Sequence, residues 1–159
     1  MDKPKTKEPK LPKVCFIASS GGHLEQLKML RPLMERYDSC IITERTKFSA
    51  IEAQYHLIQV GRKDPWVWLK LLGNGVLSLG ILLRERPRYI VTTGTLVSIP
   101  LALLGKLLGV RLIYIESFAK LHDGTRTGLF LYRYADLFIV QWETMLQVYP
   151  KAVFGGSIY

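Results

Sequence analysis

Short apolar runs alternate with longer amphipathic stretches along residues 13–159, and runs of this kind are typical of buried strands. They are rich in β-branched and aromatic residues: VCFIAS (14–19), SCIIT (39–43), HLIQV (56–60), YIVTT (89–93), RLIYIES (111–117), LFIVQ (137–141) and the short KAVFGGS (151–157). Because helical stretches separate these runs, the alternation predicts an α/β fold, a Rossmann-like parallel sheet with helices on both faces.

Helical periodicity predicts the connections between the strands. Leucine and methionine recur at helical spacing over residues 24–34, and Pro32 within this run predicts a kink or an early end. Two further helices are expected, one extending from the end of the fourth strand to Gly109 and one from Gly124 to Arg133.

The segment 66–83, WVWLKLLGNGVLSLGILL, is strongly apolar and carries a single charge, on Lys70. Tryptophan rings at headgroup level with basic flanks are typical of helices that lie in a membrane interface. We therefore expect six aromatic and basic residues to contact an anionic membrane surface: Trp66, Trp68, Lys70, Arg84, Arg86 and Arg88. A crossover helix buried in the core and a true membrane span, which needs about 20 apolar residues, are the alternatives.

The length of the chain indicates a single domain, and its net charge indicates the kind of partner it binds. A chain of 159 residues corresponds to one domain, which we assign to residues 13–159, and the lysine- and proline-rich residues 1–12 are expected to form a disordered basic tail. The net charge of +9 suggests a polyanionic partner, and its clustering around the apolar segment favours a membrane over nucleic acid. Two cysteines in apolar runs indicate buried thiols and a reducing, cytosolic compartment.

The loop Ser19-Ser20-Gly21-Gly22-His23 follows the first strand, at the edge of a parallel sheet where ligands bind. Glycines let the backbone approach a ligand closely, and the following helix N-terminus suits a phosphate. His23 could shuttle a proton or donate a hydrogen bond. A tight turn with a solvated histidine is the alternative.

Two more strand ends carry candidate chemistry. Thr93, Gly94 and Thr95 form a second anion-friendly turn, for which a simple helix cap is the alternative. Glu116 and Ser117 end a very apolar strand, where a carboxylate needs a partner or a task; it is a candidate general base or a salt-bridged carboxylate. The three histidines lack metal spacing, so neither a metal nor a cofactor is predicted.

The segments ASSGGHLEQL (18–27), YIVTTGTLVSIPLAL (89–103), IYIES (113–117), YRYADLFIVQW (132–142) and P-x-A-x-x-x-G-G (150–157) together resemble a known family. It is the membrane-recruiting subunit of two-component UDP-sugar glycosyltransferases. Its eukaryotic member anchors the dolichol-linked UDP-GlcNAc transferase, and bacterial members serve capsule and exopolysaccharide assembly. The family is similar to the N-terminal half of the GT-B peptidoglycan GlcNAc transferase.

The resemblance implies half of an enzyme, which binds a polyprenyl-diphosphate-linked sugar acceptor while a partner subunit binds most of the UDP-sugar donor. It implies acceptor or phosphate binding by the glycine and threonine loops: Ser19, Ser20, Gly21, Gly22, Thr93, Gly94, Thr95 and Ser117. We infer His23 or Glu116 as the catalytic base, and a peripheral position at the cytoplasmic face of the plasma membrane.

Two other function classes stay open. The chain could be a noncatalytic membrane scaffold for a partner that holds all the chemistry. A free-standing nucleotide-binding enzyme is disfavoured because GxGxxG is absent, although Glu44 lies near the position of the acidic residue such enzymes use.

Overall fold

The computed structural model describes residues 11–46, 53–61 and 63–159, and this part of the chain forms a seven-stranded parallel sheet. In chain order its elements are β1 (Lys13–Ile17), α1 (Gly22–Lys28), α2 (Arg31–Arg36), β2 (Asp38–Glu44), β3 (Tyr55–Leu57), α3 (Val67–Glu85), β4 (Tyr89–Thr92), α4 (Ser98–Leu107), β5 (Arg111–Ile115), α5 (Arg126–Leu131), β6 (Leu137–Val140), a 3₁₀ helix (Glu143–Gln147) and β7 (Val153–Phe154). The tail predicted for residues 1–12 lies outside the described residues up to residue 10.

The strand order is β3-β2-β1-β4-β5-β6-β7, and each neighbouring pair is parallel. The predicted Rossmann-like fold is therefore confirmed. The order reverses between β1 and β4, because the chain leaves β1 towards one edge of the sheet and leaves β4 towards the other. In open sheets of this kind the loops that follow the two central strands diverge and leave a crevice for a ligand.

Helices cover both faces of the sheet. On one face α1 packs against Val14 and Phe16 of β1 through Leu24 and Leu27, and α2 adds the partly buried Met34 to the same cluster. On the other face α3, α4 and α5 pack against the alternate residues of the strands, and their contacts form the larger core: Cys15, Ile17, Leu82, Leu101 and Leu131 are among its buried members. Because β1 is buried on both faces, its sequence is a continuous apolar run rather than an alternating one.

Several element boundaries differ from those expected from the sequence, among them those of α4 (Ser98–Leu107) and α5 (Arg126–Leu131), which are both shorter than expected. The helix expected over residues 24–34 ends at Lys28, and a separate helix begins at Arg31 with Pro32 in its first turn, so the predicted early end is confirmed. The third strand spans only Tyr55–Leu57, because it is the sheet edge and pairs with β2 alone. The last strand shortens to Val153–Phe154.

α3 connects β3 to β4 and packs against α4, as a crossover helix does. Only a narrow stripe of α3 is buried, and its members are Asn74, Ser78, Ile81 and Leu82. The outer side presents apolar residues at helical spacing: Trp68, Leu72, Val76, Leu79 and Leu83 are all exposed. By length and composition the helix could also cross a membrane. The structure thus combines crossover connectivity with an uncovered apolar face.

The polar residue within this apolar helix has a structural task. The fully buried Asn74 accepts a hydrogen bond from the Ile58 N–H at 2.7 Å and donates one to the Ile58 carbonyl at 2.9 Å. The pair ties α3 to the segment that follows β3, where no neighbouring strand satisfies the backbone. Asn74 therefore substitutes for a missing strand at the edge of the sheet.

We predict that Asn74→Ala lowers the free energy of unfolding by about 2 kcal/mol, because both backbone groups of Ile58 lose their partner. Chemical denaturation measures the change. Leu72→Ala on the exposed side of the same helix is the control and should change stability little. An equal loss of unfolding free energy in the two variants would contradict a stabilising role for the Asn74–Ile58 hydrogen bonds.

Candidate functional site

A cleft opens where the carboxyl ends of β1, β4 and β5 meet. Its larger part has a volume of about 740 Å³. We call it the cation lobe, and Ser19, His23, Glu44, Thr95, Lys120 and Arg126 are among its lining residues. A smaller part of about 390 Å³, the aromatic lobe, lies beside α1. It is lined by Gly22, His23, Gln26, Ser117, Phe118 and Tyr159, among others. His23 lines both lobes and so stands at their junction.

His23 and Thr93 bind each other and join the loops that follow β1 and β4. The ring Nδ1 of His23 lies 2.9 Å from the Thr93 carbonyl oxygen, and the Thr93 hydroxyl donates to the His23 carbonyl at 2.8 Å. A carbonyl only accepts hydrogen bonds, so Nδ1 carries the proton of this contact. The neutral ring then has its unprotonated nitrogen at Nε2, which is the atom that a general base uses.

The glycine loop is shaped by Gly21, whose φ of 94° and ψ of −147° form a conformation that essentially only glycine adopts. Gly21 precedes α1, which has seven residues, so any anion site at this end rests on a helix of two turns. Ser19 lines the cation lobe, whereas the Ser20 hydroxyl lies 3.1 Å from the Thr46 hydroxyl, across towards β2. The structure therefore brings Ser19 and His23 into the cleft and directs Ser20 away from it.

The second loop contributes one residue to the cleft surface. Thr93 is buried as the partner of His23, and Gly94 is buried with a φ of 101°, in a place where a Cβ would meet the Tyr114 hydroxyl. Thr95 has a φ of 88°, which is strained for a threonine. Its hydroxyl is buried without a hydrogen-bond partner among the described residues and lies in the wall of the cation lobe. Thr95 is therefore the residue of this loop with an unsatisfied hydroxyl at the cleft.

Glu116 lies behind the cleft wall, with 1% of its surface exposed. Its carboxylate accepts hydrogen bonds from the Tyr149 hydroxyl at 2.6 Å, the Ser117 N–H at 2.8 Å, and the hydroxyl and N–H of Thr125 at 3.0 and 3.2 Å. Burial, together with the hydrogen bond to Glu116, raises the pKa of Tyr149. These contacts support a positioning role for Glu116, and the base role expected from the sequence stays a prediction.

The charged residues of the cation lobe were not among those singled out as site residues from the sequence. Arg126 begins α5 directly after Thr125, whose hydroxyl caps the helix by accepting from the Gly128 N–H at 2.9 Å. Within the described part of the chain the Arg126 side chain makes no ion pair, whereas Lys120 pairs with Asp123 at 2.6 Å. The N-cap sequence Thr-Arg after a strand-end loop is the signal that could have identified Arg126.

Glu44 is the second carboxylate near the cleft. It ends β2 and lines the cation lobe although it is largely buried. Burial raises its pKa, and the backbone N–H groups of Val60 and Ser20 act in the opposite direction. Among residues 11–46, 53–61 and 63–159, no three histidine, cysteine or carboxylate side chains cluster as metal ligands would.

The residues expected to touch a membrane lie at both ends of α3. Trp66 and Trp68, 66% and 80% exposed, stand at the end of the helix that shares the sheet edge with the cleft. Arg84, Arg86 and Arg88 are exposed at the other end, about 28 Å away along the axis. The Lys70 ammonium is paired with Asp64. These residues form one surface only if the helix lies flat against the membrane.

This parallel sheet, with its cleft at the reversal point, matches in fold the N-terminal half of the GT-B structures. Acinetobacter baumannii MurG superposes with a TM-score of 0.69 and 16% identity over 84% of this chain and 42% of MurG. Staphylococcus aureus MnaA, solved with UDP, gives a TM-score of 0.74 and 12% identity over 93% of this chain and 44% of MnaA. The chain thus spans less than half of either structure, and these likenesses define the fold alone.

Sequence similarity defines the family. Residues 66–158 match the family described as oligosaccharide biosynthesis protein Alg14 like, and the chain belongs to this family. The mouse UDP-N-acetylglucosamine transferase subunit ALG14 is 27% identical over 179 residues, which cover 92% of this chain and 82% of the relative. The subunit of the same name from Yarrowia lipolytica is 26% identical, covering 92% and 81%.

We predict that Glu116→Gln lowers the free energy of unfolding by about 2 kcal/mol, because the amide turns a donor towards hydroxyls and N–H groups that need an acceptor. Urea denaturation measures it. Glu143→Gln, at an exposed carboxylate of the 3₁₀ helix, should leave stability unchanged. If Glu116→Gln were as stable as the parent, the hydrogen bonds accepted by the Glu116 carboxylate would not stabilise this wall of the cleft.

Proposed function

We propose that the chain is the acceptor-binding, membrane-recruiting subunit of a UDP-N-acetylglucosamine transferase in lipid-linked oligosaccharide synthesis. The observation that carries the proposal is the unpaired Arg126 guanidinium in the same cleft as the Thr95 hydroxyl and the His23 ring. A cation and a free hydroxyl beside a general base fit a phosphorylated substrate that must lose a proton. The names of the relatives supply the sugar nucleotide and the subunit character.

The cation lobe is the proposed site of the acceptor diphosphate. Arg126 presents a planar fork of donors that matches phosphate oxygens, and such charge-assisted bonds are about twice as strong as neutral ones. Lys120 adds a second charge when Asp123 releases it, and the hydroxyls of Ser19 and Thr95 complete the donor set. The polyprenyl chain would leave past the apolar residues Val60, Leu96 and Val97, which line the same lobe.

His23 is the proposed base. Its Nε2 accepts the proton of the acceptor hydroxyl as the oxygen attacks the anomeric carbon of the UDP-sugar; the new glycosidic C–O bond forms while the bond to UDP breaks. UDP leaves with the bonding electron pair. The Thr93 carbonyl on Nδ1 holds the ring in the required tautomer. The donor is held mainly by a second, donor-binding subunit, and no cofactor takes part.

Attachment to the membrane is assigned to α3. Its outer face carries exposed apolar side chains along its whole length, with tryptophans at the end on the same sheet edge as the cleft and arginines at the far end. A helix with this distribution lies in the plane of an interface, where each basic side chain near an anionic surface adds about 1 kcal/mol. We propose a peripheral mode of binding at the cytoplasmic face.

The finer biological context is a separate hypothesis. Capsule or exopolysaccharide assembly is the context that the bacterial resemblance suggests, whereas the relatives described above are a mouse and a yeast protein. The noncatalytic scaffold is the competing function, and turnover of His23 variants distinguishes the two.

For membrane binding, we predict that Trp68→Ser combined with Leu72→Ser lowers partitioning onto anionic vesicles about tenfold, because two exposed apolar side chains no longer leave water. Vesicle cosedimentation measures it. Leu33→Ser, at an exposed leucine of α2 on the opposite face of the sheet, is the control. Equal effects of the two changes would contradict docking through α3.

For catalysis, we predict that His23→Ala lowers kcat about 10²- to 10⁴-fold. The acceptor KM should change little, because the Thr93 hydroxyl still binds the backbone carbonyl of residue 23 and keeps the two loops together. The assay uses the complex with its donor-binding subunit, labelled UDP-GlcNAc and a lipid-diphosphate-linked sugar. His122→Ala, at an exposed histidine of the loop after β5, should retain full activity.

The same assay tests the division of labour between the subunits. Transfer should require both subunits, because the donor is assigned to the partner. Unchanged kcat for His23→Ala in an intact complex would favour the scaffold, and transfer by this chain alone would refute the two-subunit proposal.

A further inference from the structure

The aromatic lobe differs in chemistry from the cation lobe beyond His23. Its walls carry an amide, a hydroxyl and aromatic rings but no formally charged side chain, with Gln26, Ser117 and Phe118 as the principal groups. The volume of about 390 Å³ is within the range of small-ligand sites. Lys120 and Arg126, the cations proposed to bind the diphosphate, line the other lobe. The two lobes are therefore suited to different parts of one ligand.

Gln26 is an unpartnered polar group in the wall of the aromatic lobe. It is 2% exposed, and its side-chain nitrogen has no hydrogen-bond partner among the described residues. It follows His23 by three positions on α1, so the two side chains project from the same side of the helix. A buried amide is normally satisfied, and one left open beside a cavity points to a hydrogen-bonding ligand.

Phe118 supplies a fixed aromatic surface. Its ring centroid lies 4.8 Å from that of Trp142 and 5.2 Å from that of Tyr159, which meets it edge-on. The Trp142 indole N–H donates to the Phe118 carbonyl at 2.7 Å, which holds the backbone as well. An aromatic ring fixed in this way offers a flat apolar face next to the Gln26 amide and the Ser117 hydroxyl.

We propose that the aromatic lobe binds the uncharged pyranose ring of the acceptor, with Gln26 and Phe118 as its specificity-determining residues; this rests on the proposed function of the cation lobe. The C–H face of the ring packs on Phe118, and its hydroxyl or amide substituents bind Gln26 and Ser117. His23, at the junction of the lobes, then lies between the sugar and its diphosphate. This arrangement brings Nε2 next to a sugar hydroxyl.

The test is calorimetric titration of the full chain with two probes, inorganic pyrophosphate and N-acetylglucosamine 1-diphosphate. Gln26→Leu and Phe118→Leu should each weaken binding of the sugar diphosphate about tenfold and leave pyrophosphate binding unchanged, because each removes one contact to the ring. Arg126→Ala should weaken both probes. Gln147→Leu, at an exposed glutamine of the 3₁₀ helix, is the matched control and should change neither.

The outcomes separate the two proposals. If Gln26→Leu and Phe118→Leu changed neither probe, or weakened both equally, the sugar site would be wrong while an effect of Arg126→Ala would still support the diphosphate site. UDP-GlcNAc is titrated as a further probe; if Gln26→Leu weakened its binding alone, the lobe would hold the donor sugar and the inference would be overturned. If the parent chain bound neither probe, the proposed function would fail and the sugar site with it.

Discussion

The paired hydrogen bonds between His23 and Thr93 set the geometry on which the cleft depends. β1 and β4 are neighbours in the sheet, but their connections leave in opposite directions, so nothing in the sheet itself holds their loops together. The two contacts, at 2.9 and 2.8 Å, join them at the point of divergence. The contact at Nδ1 also fixes the tautomer of the imidazole, so the same residue pair shapes the cleft and orients the proposed base.

A second network fixes the opposite wall. Glu116 gathers donors from three parts of the chain, namely Ser117, Thr125 and Tyr149, and thereby sets where α5 and Arg126 begin. Gly128 packs so closely against the carboxylate that a Cβ would collide with it. The cleft therefore lies between the His23–Thr93 pair and the hydrogen bonds of Glu116, and neither wall can move without breaking at least two hydrogen bonds.

The fold was predictable because strands buried on both faces are continuous apolar runs, and the order of strands and helices then restricts the topology. The meeting of Ser19, His23 and Thr95 in one cleft was also predictable, because strand-end loops of a parallel sheet converge at one edge; their roles stay predictions. The pairing of Thr93 with His23 was not, since the two residues are 70 positions apart, and neither was the bond from Tyr149 to Glu116, which spans 33 positions. Gln26 could not be predicted as a site residue, because a polar residue in an amphipathic helix is usually exposed to solvent. Its burial without a hydrogen-bond partner is visible only in the structure.

The most direct test of the central claim, that this chain binds the acceptor, is photo-cross-linking of the intact two-subunit complex with two diazirine probes followed by peptide mass spectrometry. One probe is a lipid-linked sugar diphosphate and the other is a UDP-sugar. The account predicts that the lipid probe labels this chain within residues 19–23, 93–97 and 120–127, and that the UDP-sugar labels mainly the partner subunit. Labelling of the cation lobe by the UDP-sugar, with the lipid probe confined to the partner, would contradict it.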